Sequence, residues 1–181
     1  LLEYEIPTKI NMVVMQNKNL EDIIPMAELA REYPVSVRYI EEMPFNGTGS
    51  SHGIPWNHRK ILSELQKAFP SISAKPTEPT ATATRFAVKG FQGDLGIIAA
   101  YSRTFCGTCN RLRITPKGML RTCLYDQGVF NIKHLMREGA TDAQIRDVLI
   151  ESMGNRAKDG FEAEARRWES PLSESMSTIG G

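Results

Sequence analysis

The sequence has no hydrophobic run long enough to cross a bilayer. Its longest, Leu95 to Tyr101, is a few residues where a spanning helix needs about twenty. It also lacks a basic segment followed by an apolar one near its start, so no secretory leader is expected. Charge of one sign is missing too: Lys+Arg 22 stand against Asp+Glu 21. That balance leaves no broad electrostatic footprint for nucleic acid or an anionic membrane, and neither is expected as a partner. Any anion has to be bound locally. Cysteine is scarce and odd in number, three in 181 residues. A chain of this size needs no covalent staples, so a disulfide framework is not expected, and reduced thiols serving as ligands or catalysts in a cytoplasmic protein become the better question. What is present, 41% hydrophobic and 24% charged residues, is enough for a packed core rather than disorder. The first residue is Leu1 rather than methionine, so the beginning of the natural protein is expected to be missing.

The opening alternates element types. Lys9 to Met15 reads as a buried strand, Asn19 as the cap of a helix from Leu20 to Glu32, and Val35 to Met43 as a second strand. The helix carries Leu20, Ile23, Ile24, Ala27 and Ala30 at spacings of three and four, one apolar face for packing on a sheet. This is β-α-β order and predicts a parallel sheet. A Gly/Ser/Pro loop, Pro44 to Pro55, leads to a second amphipathic helix from Asn57 to Phe69. Two such units cannot close a barrel, so residues 1–69 are expected to belong to a larger α/β fold or to borrow the rest from a partner. Residues 70–84, rich in Pro, Thr and Ala, read as a linker or extended segment. Residues 85–153 form a second domain, with strands Arg85 to Lys89 and Leu95 to Tyr101, the cysteine region, and helices Ile132 to Glu138 and Thr141 to Met153. Thr141 and Gln144 make a capping box for the last helix. Residues 154–181 read as a polar tail ending in Gly180-Gly181.

All three cysteines fall in one segment as C-x2-C-x13-C: Cys106, Cys109 and, after a Pro116-Lys117-Gly118 turn, Cys123. Two thiolates with two residues between them can converge on one metal or one edge of a cluster, and a third returned by a hairpin completes a triangular face. A structural zinc site wants a fourth protein ligand, and the nearest histidine is His134. A cubane iron–sulfur cluster can stop at three cysteines and leave one iron open to substrate. Both metals remain open on spacing alone. A zinc ribbon would need a second C-x2-C pair, and a thioredoxin-type pair would be followed by a clear helix. Arg111 and Arg113 alternate directly after Cys109, so in an extended segment they share a face beside whatever the thiolates hold. Guanidinium donors fit phosphate oxygens, which points to an anionic substrate; cluster sulfides or ordinary ion pairs would occupy them equally well. Lys9 and Arg38 stand in strands where apolar residues are the rule, facing either a ligand cavity or solvent.

Four stretches resemble the C-terminal part of the molybdenum cofactor biosynthesis protein A (MoaA) family, the radical S-adenosylmethionine GTP 3′,8-cyclases. They are Thr8 to Met15, Val37 to Pro44, Phe105 to Thr115 with Cys123, and the terminal Gly180-Gly181. The resemblance implies an α/β fold: the last βα units of an incomplete TIM-type (β/α) barrel, then a cysteine-hairpin and helical domain. It implies that Cys106, Cys109 and Cys123 ligate a second, substrate-binding [4Fe-4S] cluster whose open iron contacts the guanine of GTP. Arg111, Leu112 and Arg113 then lie along the GTP site, Lys9 and Arg38 contact its phosphates, Met43 contacts S-adenosylmethionine, and Gly180 and Gly181 reach into the active site. In the implied reaction a reduced cluster on the N-terminal half cleaves S-adenosylmethionine, and the radical formed removes hydrogen from C3′ of GTP. Attack on guanine C8 then leads to 3′,8-cyclo-7,8-dihydro-GTP. The family also implies a homodimer. Its N-terminal C-x3-C-x2-C motif is absent, since no cysteine precedes Cys106, so the chain is expected to be the C-terminal half and inactive alone. The contrasting expectation is a zinc-binding interaction module completed by His134 or solvent.

Overall fold

A computed structural model describes residues 1–43, 54–126 and 128–168. These fall into two compact units, 1–43 with 54–105 and 106–168. Among the described residues no helix is long and apolar enough to cross a membrane.

The first unit is a mixed α/β layer. Strands β1 (Thr8–Val14), β2 (Val35–Glu41), β3 (Ser73–Ala74), β4 (Ala83–Ala87) and β5 (Asp94–Ile98) form one sheet in the order β1-β2-β5-β4-β3. The first three positions are parallel, with Ile10 opposite Val37 and Val37 opposite Leu95. The expected parallel pairing therefore holds for β1 and β2, and β5, read in the sequence as part of the second domain, joins them in the same sense, whereas β4 and β3 add antiparallel. The short connection through Gly90 and Gly93 can only turn the chain back beside itself.

Strand β2 alternates strictly, with Val35, Val37, Tyr39 and Glu41 buried and the residues between them half-buried. Its buried face meets α1 (Ile23–Glu32) and α2 (His58–Ala68), which bury Ile23, Ala27 and Ala30 from one helix and Ile61 and Leu65 from the other. Each fully buried Ile or Leu contributes about 1.5–3 kcal/mol relative to exposure, so this one face holds the layer together. The Tyr39 hydroxyl donates to the Ile23 carbonyl at 2.6 Å, satisfying its polar end inside the core.

Asn57 caps α2 as expected, its side chain accepting from Lys60 N at 3.0 Å. Asn19 does not cap α1. Its carboxamide accepts from Met15 N at 2.9 Å and donates to the Val13 carbonyl at 2.8 Å. It therefore closes the β1–α1 loop, and a 3-10 turn, Leu20–Asp22, precedes the helix. Nearby backbone groups outcompete the helix end for a short amide side chain.

The second unit holds a small antiparallel sheet in the order β6 (Arg113–Ile114), β7 (Met119–Arg121), β8 (Phe130–Asn131). Helices α3 (Ile132–Arg137), α4 (Asp142–Gly154) and α5 (Gly160–Trp168) follow. Gly118 turns β6 into β7 at φ +85°, and a side chain there would meet the Lys133 side chain as well. The Thr141–Gln144 capping box on α4 is present in both directions. Helix α5 lies in the stretch whose polarity reads as a tail. Among its described side chains Gly160 and Ala163 are the buried ones, too small and too weakly apolar to produce a helical pattern in sequence.

Candidate functional site

The face of the first sheet opposite the two helices is polar. Across it the register sets Asn11 beside Arg38, Arg38 beside Gly96, and Gly96 beside Arg85. Two residues along, on the same face, Lys9 stands beside Ser36 and Ser36 beside Asp94. Lys9 is exposed on the edge strand, while Arg38, one strand further in, is half-buried. The Arg38 side chain lies over Gly96, where a Cβ would come within 3.3 Å of Arg38 Cγ, so the absent side chain gives the arginine its path. Arg38 Nε is buried and has no hydrogen-bond partner among the described residues. A buried guanidinium donor left unsatisfied costs about 1–3 kcal/mol, and an anion laid on this face would relieve that cost.

Asp94 neutralises part of the same face. It is buried and accepts from Ser36 Oγ at 2.7 Å, Lys75 Nζ at 3.2 Å and Arg85 Nε at 3.1 Å. Burial pushes its carboxyl up, but the bonds from Ser36, Arg85 and Lys75 outweigh that and hold it below the ordinary carboxylate range. A carboxyl depressed in the folded state stabilises the fold above its unfolded value and loses that contribution as pH falls through the folded value. Stability of the chain in urea therefore declines as pH drops below about 4. Asp94→Asn removes that decline and costs about 1–3 kcal/mol at neutral pH. An unchanged acid limb in the variant would assign the decline to other carboxyls.

At the C-terminal end of β2, Glu41 is wholly buried and ties two loops together. It accepts from His58 N at 2.6 Å, Ser102 N at 2.7 Å and Ser102 Oγ at 2.7 Å, with His58 Nδ1 at 2.9 Å. Met43 lies two residues beyond, half-buried.

In the second unit none of the three cysteines is in a disulfide, and all are half-buried. Cys106 opens a 3-10 turn, Cys106–Thr108, and Cys109 N donates back to the Cys106 carbonyl at 3.3 Å. This turn lets the C-x2-C pair present both thiols from one short loop. Beyond it, Arg111 and Arg113 are half-buried while Leu112 between them is exposed, the alternation of extended chain. Arg113 then enters β6 opposite Arg121 of β7, and Cys123 follows two residues after the end of β7.

Cys109 and Cys123 have opposite electrostatic settings. Burial pushes the Cys109 thiol up, but hydrogen bonds from the Arg111 backbone and the Arg156 side chain, with both guanidinium charges, bring it below its ordinary value. Arg111 Nη1 stands 3.5 Å from Cys109 Sγ. Cys123 is raised. Burial is the main cause, opposed by a bond from Tyr125 N and reinforced by the negative charge of Asp126, Cys106 and Cys109. The three sulfurs are thus near enough to feel one another.

Asp126 organises the Cys123 turn. Its carboxylate accepts from Thr122 N, Thr122 Oγ1, Cys123 N and Gly128 N at 2.7–2.9 Å, and its backbone carbonyl accepts from Arg121 Nη1 at 2.6 Å. Only the Asp followed two residues later by Gly hints at this turn in sequence. Nothing local singles out Arg156, which comes from the α4–α5 connection. His134 Nε2 is engaged by Glu138 on an exposed helix surface at 3.0 Å. Among the described residues no group of three His, Cys, Asp or Glu side chains is arranged to hold a single metal ion. A four-iron cube takes thiolates at its corners and accepts N–H donors at its sulfurs. The donor set, three thiols with N–H groups against Cys109 and Cys123, fits that group. Gly180 and Gly181 lie outside the described residues.

Residues 35–162 match a family model described as Molybdenum Cofactor Synthesis C. The chain is 33% identical over 152 residues to Molybdenum cofactor biosynthesis protein 1 of Homo sapiens, covering 84% of this chain and 24% of that protein. It is 33% identical over 181 residues to GTP 3′,8-cyclase of Syntrophomonas wolfei, covering 97% of this chain and 53% of that one. To GTP 3′,8-cyclase of Clostridium perfringens it is 32% identical over 153 residues, covering 84% and 47%. The chain thus spans about half or less of the length of these curated relatives.

Proposed function

The chain belongs to the Molybdenum Cofactor Synthesis C family, and on that premise we propose that it is the C-terminal, GTP-binding part of a GTP 3′,8-cyclase. The whole reaction in this reading converts GTP to 3′,8-cyclo-7,8-dihydro-GTP by radical S-adenosylmethionine chemistry. The observation that carries it is the cysteine loop: three half-buried thiols, none in a disulfide, close enough to interact, one of them flanked by Arg111 and Arg156. When bound, the cluster supplies an open iron to the guanine, and S-adenosylmethionine, cleaved at a further [4Fe-4S] cluster on an N-terminal half, supplies the hydrogen-abstracting radical.

This chain's own residues bind and orient. Cys106, Cys109 and Cys123 are the proposed ligands, and Arg111 also donates to the Cys109 sulfur. Arg111, Leu112 and Arg113 lie along the nucleotide. Lys9 and Arg38 meet its phosphates, a role supported for Arg38 by its unsatisfied buried Nε. Met43 contacts S-adenosylmethionine, and Gly180 and Gly181 bring backbone up to the substrate, as only residues without a side chain can in a crowded site. The parallel β1-β2-β5 ladder supplies late strands of an incomplete (β/α) barrel, and the assembled enzyme is a homodimer. Chemistry of this kind leaves bond making to cofactors and position to the protein; the proposed setting is the cytoplasm, a reading that scarce cysteine outside any disulfide supports.

The test is anaerobic reconstitution of the chain with iron and sulfide, reading metal content and absorption with and without GTP. A four-iron cluster whose spectrum responds to GTP and not to ATP is the expected result. Failure to take up iron, with one tightly held zinc instead, would sink the reading.

A further inference from the structure

Arg156 lies 47 residues from Cys109 in sequence, yet its guanidinium donates through Nη1 to the Cys109 carbonyl oxygen, and its charge is close enough to the thiol to help draw it below its ordinary value. A planar fork of this kind can hold the backbone at Cys109 and stay beside its sulfur. The fork is itself held. Arg156 is half-buried and the following Ala157 is buried. Arg166 Nη1 donates to the Asn155 carbonyl at 3.1 Å, and Glu162 accepts from Lys158 N at 2.8 Å. Helix α5 therefore fixes the loop that carries Arg156, and the polar composition of that stretch acquires a purpose: it supports a cation rather than filling a core.

We propose that Arg156 is a positioning residue that orients Cys109 as a cluster ligand and raises the reduction potential of the cluster held there. The inference rests on the cluster reading of the three cysteines. Its physical basis is twofold. A donor fixing a ligand from outside the first shell is typically worth tenfold or more in metal retention. A fixed positive charge a few ångström from the cluster stabilises the added electron. Arg111 approaches the same thiol from its own loop, but it adjoins the ligand in sequence and cannot by itself anchor that loop to the helices. Arg156 can.

The test compares Arg156→Gln, Arg156→Lys and Arg146→Gln in the reconstituted chain. Arg146 is exposed on α4 and pairs only weakly with Asp147, at 3.4 Å, so it removes the same charge without touching Cys109. Midpoint potential by mediated titration and the rate of iron loss to a chelator are read on each, with circular dichroism as the check on folding. In Arg156→Gln the oxidised-to-reduced ratio at fixed potential rises about tenfold, 59 mV towards more negative values for a one-electron couple, and iron is lost about tenfold faster. Arg156→Lys recovers at least half of the potential shift but still loses iron faster, because an ammonium cannot reproduce the fork. Arg146→Gln matches the unaltered chain. If Arg156→Gln loads iron and its midpoint equals that of Arg146→Gln, the assignment is overturned while the cluster reading stands. If Arg156→Gln does not fold, Arg156→Lys decides: identity with the unaltered chain in both readouts overturns the assignment. An unaltered chain that forms no four-iron cluster overturns the underlying reading, and this inference with it.

Discussion

Replacement of Cys123 by alanine lowers the iron retained after reconstitution and desalting at least about tenfold. These three thiols are all the chain has, so losing one leaves two ligands from a single short loop and no closed face for a cube. The backbone at Cys123 is itself held, through Asp126 on one side and the β7 strand on the other. The alanine variant keeps the Asp126 turn, because Thr122 N, Cys123 N and Gly128 N do not depend on the sulfur. Its circular dichroism and melting therefore stay close to those of the parent. Iron and acid-labile sulfide assays check the result. Iron equal to the parent's would show that Cys123 is not a ligand.

Replacement of Glu41 by alanine costs about 3–5 kcal/mol in urea unfolding. The carboxylate is fully buried, and the two backbone donors it serves, His58 N and Ser102 N, are left without it. Hydrogen bonds to a charged acceptor contribute about 1.5–3 kcal/mol each, and stranded donors add their desolvation cost. Glu41→Gln is milder, about 1–2 kcal/mol, because one oxygen still accepts while the new NH2 faces a donor. The two loops that Glu41 joins begin α2 and follow β5, so loosening them also loosens the end of β2 that leads to Met43. A cost below about 1 kcal/mol for the alanine variant would mean that water replaces the carboxylate and that the junction is not held by it.

How much of this was legible in sequence depends on the range of the interaction concerned. The β1–α1–β2 order, the Asn57 cap and the Thr141–Gln144 box are patterns within a few residues, where side-chain spacing and capping geometry act on their own chain neighbours. The cysteine spacing marked the loop for the same reason: two thiols with two residues between them are juxtaposed by local backbone alone. Asn19 shows the limit, since a local signal with two available partners was settled by the loop around it.

By itself, then, the sequence determined the βα elements, the caps and the cluster of thiols with their neighbouring arginines, all consequences of short-range geometry. Tertiary structure alone decided that β5 lies beside β2, that Asp94 collects Ser36, Lys75 and Arg85, that Glu41 closes on Ser102, and that Arg156 returns to Cys109. Those partners stand 9, 19, 58, 61 and 47 residues apart. Beyond the closest of them no periodicity reaches so far, because a polar side chain's partner in a folded protein is fixed by which strands and helices the core brings together.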